Sequence, residues 1–172
     1  MNIRKKTQFM TMTALLTAIA ILIPIIMPFK IVIPPASYTL GSHIPIFIAM
    51  FLSPLMAAFV IIASSLGFLM AGYPPVIVLR AFSHIVFGTL GALYLKKFPE
   101  TLDKPKVSWI FNFVLGVVHA IAEVIACIIF YATSGTNVEN MFYVLFVLVG
   151  FGTIVHSMVD YTLALAVYKV LR

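Results

Sequence analysis

Long apolar stretches recur along this chain with charge gathered at their ends, and that pattern constrains the fold more than any other feature. A helix needs about 20 apolar residues to cross the roughly 30 Å hydrocarbon layer of a bilayer. The first stretch, about 7–27, would measure about 31 Å as a helix. Further stretches follow at about 43–53, 54–71, 76–95, 107–131 and 142–170. Only 9% of the 172 residues are charged and 63% are hydrophobic, whereas a soluble domain carries about 25% charge. So small a core cannot hide that much apolar surface, so lipid is the expected partner of most of these side chains. The sequence therefore predicts an all-α integral membrane protein, one membrane domain over 1–172, with six transmembrane helices.

Charge placement sets the topology. The net charge of +6 suggests nucleic acid at first sight, but the basic residues flank apolar segments instead of forming a patch. Arg4, Lys5, Lys6, Lys96, Lys97, Lys104, Lys106, Lys169 and Arg172 make up nine of the eleven. The positive-inside rule puts them on the cytoplasmic side, which demands an even number of crossings between Lys6 and Lys96 and between Lys106 and Lys169. A single bent helix over 43–71 would break this parity. A short second helix, a turn at Ser53-Pro54 and a separate third helix preserve it. Both termini are then cytoplasmic. The loops at 28–41, 72–75 and 132–140 face outward, while the charged 98–106 loop faces the cytoplasm. The 28–41 loop is rich in proline and β-branched residues and is not expected to be helical. Arg4-Lys5-Lys6 ahead of an apolar stretch resembles a signal peptide, but no clear small-residue cleavage site follows, so it reads as a retained first span. The one cysteine, Cys127, rules out a disulfide framework and reads as a small buried hydrophobe.

Ionisable groups inside spans are costly and point to function. Arg80 and His84 on the fourth helix, His119 and Glu123 on the fifth, and His156 and Asp160 on the sixth each form an i,i+4 pair on one helix face. His43 opens the second helix. Three such faces can converge on one polar interior. Arg80 lies about 6 Å and His84 about 12 Å below the outer end of its helix, with Glu123 at the depth of His84. Asp160 falls deeper, toward the cytoplasmic half. Arg80, His84 and Glu123 are thus the best site candidates. The competing reading is internal pairing, Arg80 with Glu123 and His156 with Asp160, with the histidines satisfied by backbone carbonyls. A metal site of His119, Glu123, His156 and Asp160 is chemically open, but i,i+4 spacing alone argues weakly for it, and no metal or cofactor is expected. Ala14 and Ala18, with Thr13 and Thr17, give the first helix a small-residue face suited to close helix packing. Gly88 and Gly91 suit packing within the chain.

Nucleotide-binding fingerprints, H-E-x-x-H and G-x-S-x-G are all absent from the sequence. Six short helices leave little material for two moving halves of a transporter. A binding subunit powered by partners follows, not an enzyme. A membrane enzyme or metal-binding protein using the His and acid pairs, and a self-sufficient transporter, are the alternatives.

The segments Ala14-Leu15-Leu16-Thr17-Ala18, Ala36-Ser37-Tyr38-Thr39-Leu40-Gly41-Ser42-His43-Ile44-Pro45 and Val78-Leu79-Arg80-Ala81-Phe82-Ser83-His84 resemble the substrate-binding S components of energy-coupling factor (ECF) transporters, the vitamin importers of many bacterial plasma membranes. The resemblance implies a six-helix fold and an A-x-x-x-A face, matched by Ala14 and Ala18, that meets a transmembrane coupling subunit driven by two ATPase subunits. It also implies an outward substrate pocket formed by helices four to six and capped by the loop between helices one and two. Within the family the chain looks most like the niacin branch. Arg80 suits a carboxylate such as nicotinate, and Tyr38, Tyr73 or Phe68 suit an aromatic ring; pantothenate, biotin, pyridoxine and hydroxymethylpyrimidine stay open. Metal-transporting relatives begin Met-His, whereas this chain begins Met1-Asn2. The expected substrate-binding set is Arg80, His84, Glu123, His119, Tyr38, His43, Tyr73, Asp160 and His156.

Overall fold

The computed structural model describes residues 3–33, 36–135 and 139–172. Met1-Asn2, the tip of the 28–41 loop and the centre of the 132–140 loop lie outside the described residues. The chain is almost entirely helical: α1 (Ile3–Ile26), α2 (Ile44–Leu52), α3 (Pro54–Met70), α4 (Pro75–Lys97), α5 (Pro105–Ser134) and α6 (Gly152–Leu171). A π-helical segment, Tyr143–Phe151, runs directly into α6. Among the described residues, four helices are long and apolar enough to cross a membrane: α1, α4, α5 and the continuous Tyr143–Leu171.

Proline punctuates this fold. Pro54, Pro75 and Pro105 each open a helix, where the missing N–H costs nothing. Ser53, extended at φ −168°, separates α2 from α3, as the Ser53-Pro54 break predicts. The nine residues of α2 give only about 14 Å of helix. It is nearly all buried and packs against α1, α3, α4 and α6, so it serves as a central pillar. Phe47, Met50, Ile61, Phe87 and Tyr161 fill the core around it.

Close packing fixes the helix spacing. A Cβ on Gly88 would lie 2.5 Å from Ile61 Cδ1, and one on Gly91 would run into Met50 Sδ and Leu115. Both glycines therefore serve packing within the chain. By contrast α1 buries only Leu16 and Ala20, and its Ala14 and Ala18 are exposed.

Between α1 and α2 the chain forms an antiparallel hairpin of β1 (Lys30–Ile33) and β2 (Ala36–Thr39), with Ile31 opposite Tyr38. This segment was expected to be non-helical, and its β-branched residues favour a strand. The hairpin is a small departure from an all-α chain. At the opposite end, Arg172 forms an exposed ion pair with Asp103 at 3.1 Å. Exposed pairs add little stability, but this one places the C-terminus beside the 98–106 loop.

Candidate functional site

The i,i+4 faces of α4, α5 and α6 meet in one buried polar cluster, with His43 at its centre. Glu123 is its main anchor. Arg80 Nη2 donates to Glu123 Oε2 at 2.8 Å and Thr153 Oγ donates to the same oxygen at 2.5 Å. His84 Nε2 donates to Oε1 at 3.1 Å, and His119 Nε2 lies 3.6 Å from it. Glu123 is only 3% exposed, and a carboxylate so deep requires this many partners to remain ionised. Arg80 and Glu123 do pair, but both also line a cavity.

Asp160 anchors the other half. It is fully buried and accepts the Gly41 N–H at 2.7 Å, the His43 N–H at 2.9 Å and His43 Nδ1–H at 3.1 Å, with His156 Nε2 at 3.4 Å. Gly41, at φ +81°, makes the turn that aims these amides at the carboxylate. Asp160 thus caps the start of α2 and ties the hairpin loop to α6. Its bonds to Gly41 and His43 join it to the cluster from behind the cavity wall. Ser42 Oγ lies 3.2 Å from His156 Nε2.

The π-helical segment sets the register of α6, and such segments recur at functional sites. Tyr38 donates its hydroxyl to the Leu148 carbonyl. Its ring lies over Gly152, where a Cβ would collide with the phenol, and packs at 5.5 Å from His156. Burial pushes the Tyr38 phenol up to about 12, so it stays a donor at physiological pH.

These groups surround a cavity of about 70 Å³ lined by Tyr38, Thr39, Ser42, His43, Phe68, Tyr73, Arg80, His84, Glu123, Thr153 and His156, among others. The Phe68 and Tyr73 rings lie 5.1 Å apart at its edge. A guanidinium beside aromatic rings and hydroxyls suits a small, flat, anionic guest. Of the nine expected site residues, seven line this cavity. His119 and Asp160 do not, and stand behind it. Thr153, Ser42 and Ser157 were not anticipated.

A family model described as the S component of the ECF-type riboflavin transporter matches residues 4–172 of this chain. The chain belongs to that S component family. It is also 43% identical over 169 residues to the niacin transporter NiaX of Lactococcus lactis subsp. cremoris, covering 98% of this chain and 76% of that one. No solved structure matches. As an S component the chain is a multi-pass membrane protein of vitamin transport.

Proposed function

We propose that this S component is the high-affinity binding subunit of an ATP-driven ECF importer for niacin, taken as nicotinate or a similarly small carboxylate vitamin. The observation that carries the ligand reading is the Arg80 guanidinium in the wall of a cavity of only about 70 Å³. A fixed cation in a low-dielectric wall favours an anion, and guanidinium matches carboxylate geometry. The cavity has room for a few water molecules' worth of guest, which favours one ring over the three fused rings and polyol chain of riboflavin. The name of the Lactococcus relative agrees.

In this reading Arg80 holds the carboxylate, while Tyr38, Phe68 and Tyr73 cover the ring. His43, His84 and His156 supply the polar wall. Glu123 and His119 position Arg80 and His84, and Asp160 positions the loop that closes the cavity. The chain acts as one membrane domain of six crossings with both termini cytoplasmic. Charge parity supports this topology, as does the Asp103–Arg172 pair joining the 98–106 loop to the C-terminus. The exposed Ala14–Ala18 face of α1 docks a transmembrane coupling subunit, and two ATPase subunits supply energy. The chain itself catalyses no reaction.

Mass spectrometry of small molecules released by denaturing the purified chain tests the ligand. Nicotinate is expected; riboflavin or a neutral vitamin in its place contradicts the reading.

A further inference from the structure

We propose that His43, His84 and His119 form a binding site for one divalent transition-metal ion at the inner wall of the cavity. The three rings come from the residue just before α2, from α4 and from α5. Their centroids form a nearly equilateral triangle of 4.8, 4.8 and 4.7 Å, at steep mutual tilts of 65°, 77° and 86°. One nitrogen of each ring lies within 4.8 Å of the others. With a metal–nitrogen bond of about 2.0 Å, three imidazoles around a tetrahedral ion have centroids about 5 Å apart. The centroid spacing already matches that arrangement, and the nitrogens, within 4.8 Å of one another, would close to about 3.3 Å around the ion.

The outer hydrogen bonds supply the second argument. A metal-binding histidine typically donates its remaining N–H to a carboxylate or another acceptor, which fixes its tautomer and orientation. Each ring here has one nitrogen engaged in that way: His43 Nδ1 with Asp160 at 3.1 Å, His84 Nε2 with Glu123 at 3.1 Å, and His119 Nδ1 with the Ser157 hydroxyl at 3.1 Å. His43 Nε2, His84 Nδ1 and His119 Nε2 are left as the ligating set. His119 is fully buried, and its Nε2 lies 3.6 Å from Glu123 Oε1, beyond hydrogen-bond distance. At that distance the carboxylate only loosely occupies the nitrogen, which leaves it available to a metal ion. Three neutral imidazoles select zinc, cobalt or nickel over magnesium or calcium. His43 and His84 line the cavity, so a water or an anionic oxygen arriving there can serve as the fourth donor. The neighbouring group His43, His156 and Asp160 is the poorer site, because both Asp160 oxygens are already committed to backbone amides.

The test uses the full chain, purified with a tag free of histidine, stripped with chelator and loaded separately with Zn²⁺, Co²⁺ and Ni²⁺. About one ion per chain is expected after gel filtration by elemental analysis, with the intense visible absorption of tetrahedral Co²⁺. His119→Gln, a residue outside the cavity wall, is expected to weaken metal binding at least about tenfold, while His156→Gln retains it. Failure of the unaltered chain to hold any of the three ions overturns the proposal, as does retention of wild-type stoichiometry and spectrum by a folded His119→Gln chain. The cobalt spectrum of the unaltered chain decides even if the variant does not fold. Nicotinate binding is followed in the same samples. Nicotinate bound by a chain that takes no metal overturns the metal site alone and leaves the vitamin reading intact.

Discussion

Arg80 and Glu123 meet at 2.8 Å across the α4–α5 interface, and Thr153 from the following helix donates to the same carboxylate oxygen. One acidic side chain therefore joins three helices and fixes the guanidinium in the cavity wall. Removing either partner has two separable consequences, one for stability and one for binding.

Arg80→Ala is expected to abolish nicotinate binding and also to destabilise the chain by about 3–5 kcal/mol, because it strands a buried carboxylate. Adding Glu123→Gln to that variant removes the stranded charge and should recover much of the thermal stability without recovering binding. Thermal unfolding in detergent together with ligand titration checks both halves. Nicotinate affinity at the wild-type level in the double variant would remove Arg80 from the site.

Asp160→Asn keeps the shape but loses the charge and one acceptor for the Gly41 and His43 amides. A loss of about 1.5–3 kcal/mol is expected, in the range of hydrogen bonds to charged groups. Hydrogen exchange should accelerate at Gly41 and His43 and leave the α4–α5 interface unchanged. Uniform exchange throughout the chain would show that Asp160 does not act through the 41–43 turn.

The Tyr38 phenol titrates at about 12 in the folded chain, against 10.0 in a model peptide. Its raised value means that the unfolded chain loses the proton first. Tyr38's contribution to stability is therefore complete below about pH 10 and lost between about pH 10 and 12. The stability difference between the wild type and Tyr38→Phe should shrink over that window and stay constant from pH 6 to 9. At neutral pH, Tyr38→Phe should speed nicotinate release about three- to tenfold, the effect of one lost hydrogen bond.

Ala14→Leu and Ala18→Leu place bulk on an exposed face of α1. Vitamin binding by the isolated chain should be unchanged, while copurification with the coupling subunit and uptake by cells are lost. Unimpaired uptake in the double variant would move the docking face elsewhere.

The polar interior was readable because buried charge is so expensive in a membrane that each ionisable residue stands out. The i,i+4 spacing gave the three faces, and their convergence follows from helix packing. Much less was readable of the hydroxyl groups that bond to Glu123 and His119. Serine and threonine are unremarkable in apolar helices, although Thr153, His156, Ser157 and Asp160 follow the i, i+3, i+4, i+7 stripe of one helical face. The role of His43 depends on how the start of α2 meets α6, which no local pattern encodes. The π-helical register before α6 likewise carries no compositional mark beyond Gly150 and Gly152. It decides that Leu148 presents its carbonyl to Tyr38 and that Thr153 reaches Glu123. Asp160 lies deeper along α6 and stands behind the cavity, where its contacts with the 41–43 turn depend on tertiary packing that distance along one helix does not show.

Isothermal titration of the purified chain with nicotinate, without ATP or any partner subunit, decides whether this S component binds niacin on its own. One saturable site of submicromolar affinity is expected, for which riboflavin does not compete. Saturable riboflavin binding with no response to nicotinate would contradict it.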